Sequence, residues 1–213
     1  MGFFIYNTKS KRKEIFKPIL NGKVSLYTCG PTVYDFSHIG NFRTFIFEDL
    51  LKRWLLHLGY DVLHVMNITD VDDKTIKKSI DLKLSLEKIT NKYISEFMAD
   101  IEWLNLHPAD YFPKATDHVP DMILMISNLI KNKMAYTGED GSIYFDISSF
   151  KDYGKLASIK LNKGQKNKIR GLQDEYNSNA PQDFALWKAR KTNDGEVYCC
   201  LLYTSPSPRD FTE

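Results

Sequence analysis

Cysteine is sparse in this sequence: three residues in 213, two of them adjacent (Cys199 and Cys200). Such a set cannot form a disulfide framework, and a reducing cytoplasm fits it best. Long hydrophobic runs are also missing. The longest aliphatic stretch, Met122 to Ile126, has five residues, so no segment predicts a membrane span. The N-terminus reaches Lys9, Lys11, Arg12 and Lys13 without the apolar core of a signal peptide, which argues against export. Charge of one sign is not in excess either. With 29 basic and 27 acidic side chains the net charge is +2, too small to mark a nucleic-acid or membrane partner or to exclude one. There is no Gly-rich Walker loop, and no Ser-His-Asp set can be argued. What is present is ordinary: 43% hydrophobic and 26% charged residues, enough for one sizeable domain or one domain plus part of another.

The first clear pattern is strand, helix, strand. Val24 to Thr28 is β-branched and aromatic and follows the turn-forming Asn21-Gly22. A helix is expected from about Ile39 to Leu58, with Phe47, Leu50, Leu51, Trp54, Leu55 and Leu58 spaced along one face and Gly59 as its stop. Val62 to Ile68 reads as a second strand, with Val62, Leu63, Val65 and Met66 buried on both faces. This is a βαβ unit, hence a parallel sheet with a right-handed crossover. A long amphipathic helix carries Leu86, Ile89, Tyr93, Phe97, Ile101 and Leu104, with Ser85 as its N-cap. Pro108 and Pro113 bracket an irregular stretch, and Met122 to Ile130 marks another helix. Residues 135–146 read as a hairpin with Asp140-Gly141 in the turn. Lys160 to Asn179 is loop-like, and Asp183 to Lys188 is a last apolar segment.

Chemistry concentrates in Tyr27-Thr-Cys-Gly-Pro-Thr-Val-Tyr-Asp-Phe-Ser-His-Ile-Gly-Asn41. Ligands of open α/β sheets sit beyond the carboxyl ends of the strands, and free N–H groups at a helix start favour phosphate. His38 can donate to a phosphate oxygen, and Gly40, without a Cβ, lets a flat base approach the backbone. Taken alone, a His near a helix start is most often a structural residue. Cys29, taken alone, is a small buried hydrophobe or one ligand of an incomplete metal site. Asp70, Asp72 and Asp73 could form a metal cluster or an acid/base pair; for Asp72 and Asp73 the favoured reading is capping of the next helix. Lys155, Lys160, Lys163, Lys166, Lys168 and Arg170 could meet nucleic-acid phosphates or form a solvated loop.

His38-Ile39-Gly40-Asn41 resembles the "HIGH" signature of class I aminoacyl-tRNA synthetases, with Asn where the signature has its second His. The run from Tyr27 to Arg43 resembles the cysteinyl-tRNA synthetase family. So do Asn67-Ile-Thr-Asp-Val-Asp-Asp-Lys74 and, more weakly, Asp183 to Lys188. The resemblance extends from about Ile5 to Tyr198. It implies an α/β fold: the first half of a Rossmann-like parallel-sheet catalytic domain over residues 1–115, and the start of an inserted connective region over 116–198. It implies ATP-dependent activation of cysteine and transfer to tRNA(Cys), with ATP, L-cysteine and tRNA(Cys) as partners, no membrane, and a monomeric parent. His38 and Asn41 are implied as catalytic residues. Thr32, His38, Gly40 and Asn41 are implied at ATP, Cys29 and Thr69 at the substrate cysteine, and Cys29 on Zn2+, with Mg2+ accompanying ATP. Zinc prefers a soft thiolate over a hydroxyl, which suits selection of cysteine against serine. Two rival readings are a cysteine–glucosaminyl-inositol ligase of mycothiol synthesis and a non-catalytic nucleotide- or RNA-binding domain.

The family's remaining zinc ligands lie in Trp-His-x-Glu-Cys and His-x-x-x-Glu segments, and its second phosphate loop is Lys-Met-Ser-Lys-Ser. None of the three occurs here, so the chain by itself is expected not to charge tRNA. Residues 199–213 depart from the pattern, and Cys200 to Asp210 looks like the translation of a sequencing-library adapter.

Overall fold

A computed structural model describes residues 3–156 and 183–189. The Lys-rich stretch beyond Lys155, Cys199, Cys200 and the adapter-like tail lie outside the described residues. Lys155 itself is ion-paired with Asp152. The described residues divide into two compact units, one built on 16–119, the other on 3–15 together with 120–156 and 183–189.

In the first unit, β3 (Lys23–Thr28) pairs in parallel with β4 (Asp61–Met66), in register from Lys23 opposite Asp61 to Thr28 opposite Met66. The crossover is α1 (Ile39–His57), capped at its end by Leu58 before Gly59 at φ +83°. Then come α2 (Asp73–Leu82) and α3 (Leu86–Trp103), the latter capped by the Ser85 side chain, which accepts from the Lys88 N–H. The α/β class and the parallel βαβ unit are therefore as the hydrophobic pattern predicts. The core holds Phe42 and Phe45 of α1, Met66 of β4, Phe97 and Ile101 of α3, and Ala109. Phe97 stacks on Phe42 at 6.4 Å and meets Phe45 edge-on at 5.2 Å. A second cluster joins Val33, Ile68, Ile89 and Tyr93.

Two expectations about faces are corrected. The buried face of α1 is Phe42, Phe45, Asp49, Lys52 and Leu55, while Phe47 (66% exposed), Leu50 (61%) and Trp54 (42%) of the expected stripe face outward. The reason is partnership from far along the chain. Asp49 accepts from the His107 N–H (2.8 Å) and from Arg53 (2.7 Å), and the Lys52 ammonium donates to the Pro108 carbonyl (2.8 Å). These bonds make the mixed face of α1 the buried one. In β4 only one face is buried, that of Val62, His64 and Met66; Leu63 is 46% exposed, and the strand ends at Met66 with Ile68 bridged to Lys114.

In the second unit, β1 (Phe4–Asn7) and β2 (Arg12–Ile15) form an antiparallel pair that the sequence pattern does not announce. The expected hairpin is present as β5 (Ala135–Thr137) and β6 (Ile143–Phe145), with Gly141 at φ +81°, and β7 (Phe184–Trp187) pairs antiparallel with β6. The helix α4 (Val119–Lys131) covers the predicted Met122 to Ile130. Among the described residues no helix is long and apolar enough to cross a membrane.

Candidate functional site

The site is assembled where β3 and β4 end. Beyond Thr28 the chain runs through Cys29, Gly30, Pro31 and Thr32 beside Asn67, Ile68 and Thr69. Thr32 and Thr69 form an isolated parallel bridge. The Thr69 N–H donates to the Pro31 carbonyl (3.0 Å), and the Val33 N–H donates to the Thr69 carbonyl (3.1 Å). Thr32 and Thr69, 37 positions apart in sequence, are thus brought together. Asn67 adds side-chain bonds to both loops: its amide donates to Thr69 Oγ1 (3.3 Å) and its Oδ1 accepts from the Gly30 N–H (3.3 Å).

Gly30 is a requirement that sequence reasoning missed. A Cβ there would lie 1.8 Å from the Asn67 carbonyl oxygen, so only glycine lets the two loops approach this closely. The visible signal was a glycine two residues past the end of a strand, at the point where a parallel neighbour ends.

His38 and Asn41 together cap α1. His38 Nδ1 accepts from the Gly40 N–H (3.0 Å), and Asn41 Oδ1 accepts from the His38 N–H (3.0 Å), a reciprocal capping box. This corrects the expectation of free backbone donors at the helix start. The Gly40 N–H is spent on His38, and the Asn41 and Phe42 N–H groups both bond the His38 carbonyl. The arrangement instead aims side chains outward. With Nδ1 accepting, the neutral imidazole carries its proton on Nε2, and with Oδ1 accepting, the Asn41 amide keeps its NH2 to donate. Both residues are exposed. Gly40 has a duty to its own chain too: a Cβ there would sit 2.8 Å from His38 Cε1, so the glycine makes room for the capping ring.

Cys29 is exposed and free. Among the described residues no group of three or more His, Cys, Asp or Glu could hold a metal. The carboxylates of the Asp70-Val-Asp-Asp73 run have structural partners. Asp72 is the N-cap of α2, accepting from the Lys74 N–H (2.9 Å) in a capping box with Thr75. Asp70 is buried and accepts from the Thr116 N–H (3.0 Å) and from the Thr116 hydroxyl.

Under the loop lies a buried polar group that the sequence does not announce. His64, 2% exposed, sits with Nε2 2.9 Å from Thr28 Oγ1, and its backbone N–H donates to Asp110 (2.7 Å). Burial lowers the His64 pKa, with Lys52 adding to the effect. Burial raises that of Glu48, against a hydrogen bond from Thr28.

The chain also resembles known proteins along most of its length. Residues 15–207 match the family model for the class I (C) tRNA synthetase catalytic domain. The cysteine–tRNA ligase of Chlamydia trachomatis serovar D is 53% identical over 199 residues, covering 93% of this chain and 41% of that protein. That of Protochlamydia amoebophila is 46% identical over 196 residues, with 91% and 41% coverage. Among solved structures, the LeuRS–tRNA–LeuAMS ternary complex from Agrobacterium radiobacter superposes with a TM-score of 0.50 at 20% identity, over 62% of this chain and 18% of that one, a likeness of fold alone. The chain spans about two fifths of the length of the curated relatives it matches. A parallel βαβ unit, a His-Ile-Gly-Asn capping box at the crossover helix and a family match across nine tenths of the residues lead to one statement: this chain belongs to the class I (C) tRNA synthetase catalytic-domain family.

Proposed function

We propose that the protein encoding this segment is a cysteine–tRNA ligase, acting on ATP, L-cysteine and tRNA(Cys) in the cytoplasm. The observation that carries the reading is the pairing of the two strand-end loops, which puts the run after β3 and the run after β4 side by side, with the His38–Asn41 capping box following six residues after Thr32. In the first step an oxygen of the cysteine carboxylate attacks the α-phosphorus of ATP. The bond from that phosphorus to the bridging oxygen breaks, and pyrophosphate leaves with the electron pair. In the second, a ribose hydroxyl of the tRNA terminal adenosine attacks the acyl carbon and AMP departs. Neither step needs a protein nucleophile, so the protein acts by positioning and by charge stabilisation.

His38 Nε2–H and the Asn41 amide face the triphosphate in this reading, Thr32 lines the same loop, and Thr69 and Cys29 face the amino acid. Gly40 serves ATP indirectly, by making room for the His38 ring. Mg2+ would accompany the triphosphate. Zinc would polarise and select the substrate thiol, with Cys29 supplying one thiolate; the described residues do not complete its ligand set, and no step above is routed through it.

The test is amino-acid-dependent pyrophosphate exchange by the complete gene product. Cysteine should support exchange and serine should not, and Cys29→Ala should lower bound zinc. Exchange driven equally by serine, or full zinc occupancy in the variant, would sink the assignment.

A further inference from the structure

Thr28 is the last residue of β3 and Cys29 follows it, so their side chains leave the strand on opposite faces. Cys29 points to solvent, while Thr28 is 8% exposed. On the buried side, Thr28 Oγ1 meets His64 Nε2 from β4 at 2.9 Å. One hydroxyl therefore ties the two parallel strands together at the level where the loop departs. The groups facing the His64 ring are Lys52 and Asp49 of α1 and Asp110 from the stretch after α3. Glu48 Oε2 and His64 Nδ1 are buried without a hydrogen-bond partner among the described residues. For stability alone, apolar side chains of the same shape would fill this space better than polar ones with two unmet atoms. On the other side of Cys29, Gly30 is pinned by its N–H bond to Asn67 Oδ1 and by its close approach to the Asn67 carbonyl. Cys29 is thus suspended between two anchored neighbours.

We propose that Thr28, clamped by its bond to His64, is a positioning residue that sets where the Cys29 thiol meets the amino-acid substrate. The inference rests on the reading of Cys29 as a substrate-facing residue. The clamp lies under the amino-acid side of the loop, whereas the ATP side is built independently by the His38–Asn41 capping box. Disturbing the clamp should therefore act on one substrate and spare the other.

The experiment uses the complete gene product with Thr28→Val, which keeps the shape and removes the hydroxyl, and Thr28→Ser, which restores it. Pyrophosphate exchange is followed at varied cysteine and varied ATP, and alkylation of the Cys29 thiol by iodoacetamide is timed by peptide mass spectrometry. Thr28→Val should raise KM for cysteine about tenfold, since a displacement of under an ångström suffices for that, and leave KM for ATP within about twofold. It should change the alkylation rate severalfold, and Thr28→Ser should bring both readouts back. An equal rise in both KM values, an unchanged cysteine KM and alkylation rate, or failure of serine to rescue would overturn the proposal. Should Thr28→Val not fold, His64→Leu takes its place, and a wild-type cysteine KM in that variant overturns it. The underlying reading fails separately: it falls if Cys29→Ala leaves the cysteine KM unchanged.

Discussion

The parallel pair β3–β4 and the antiparallel sheet β5–β6–β7 use polar residues in opposite ways. In the antiparallel sheet the polar groups close on one another. Asp140 accepts from the Ser142 N–H and hydroxyl (both 2.9 Å) and from the Tyr144 hydroxyl (2.8 Å), and Asp183 accepts from Tyr136 (2.8 Å) and the Ile147 N–H (3.1 Å). Ring stacking completes it, with Phe145 and Phe184 at 5.2 Å. At the ends of the parallel strands, bonds hold the loops but leave donors turned outward, on His38 and Asn41. Parallel strands need a crossover, and the crossover places a helix start beside a strand end; a tight antiparallel turn makes no such place. The contrast teaches that capacity for chemistry here follows from topology before it follows from residue type.

The comparison can be broken most severely at Gly30. Gly30→Ala forces a methyl carbon against the Asn67 carbonyl and should cost about 3 kcal/mol or more of stability, together with loss of pyrophosphate exchange. A denaturation midpoint within error of wild type would mean that the loops are not packed as described. Next in size, His38→Ala in the complete protein should slow cysteine-dependent exchange by about 10²-fold, the usual loss for one charge-stabilising donor. It should cost only about 1 kcal/mol in stability, as for any N-cap. Unchanged exchange would leave His38 with the cap alone. In the antiparallel sheet the pattern should invert: Asp140→Ala removes an acceptor for three donors and should cost about 1–3 kcal/mol in chemical unfolding while leaving both KM values unmoved.

The smallest effect is a pH dependence. Burial holds the folded His64 pKa below the ordinary histidine value of 6.5, so its contribution to stability is full above that value and is lost as pH falls through the lower, folded pKa. Denaturant midpoints from pH 7.5 down to 5 should fall less steeply in His64→Gln than in wild type. Glu48, raised from 4.5, works with the other sign: its contribution is present below that value and is lost as pH rises through the folded pKa. Glu48→Gln should therefore stabilise at neutral pH.

How much of this was legible in the residues can be judged from α1. Period 3.6 located the helix to within a residue of each end, and Gly59 and His38 marked its limits. Periodicity could not say which stripe would be covered, because that depends on His107, Pro108 and Asp110, more than fifty positions away. His64 shows the same limit in a strand: its burial is decided by Thr28, 36 positions earlier, and no local pattern announces the pair. Asp72 was legible as a cap because capping is a local event. The Gly30 contact was not, since the obstructing atom belongs to Asn67, in the loop after another strand.

The stitching of Pro31, Thr32 and Val33 to Thr69 has a mechanical side. Surface loops ordinarily flicker open and swap their amide hydrogens for deuterium quickly, each on its own schedule. Here the Val33 and Thr69 amides are locked in reciprocal bonds, and Ile68 is tied in turn to Pro113, so the two loops continue the sheet by one further rung. They can open only together. The slow deuterium uptake of these amides would time that shared breathing, while the His38–Asn41 capping box keeps to its own bonds.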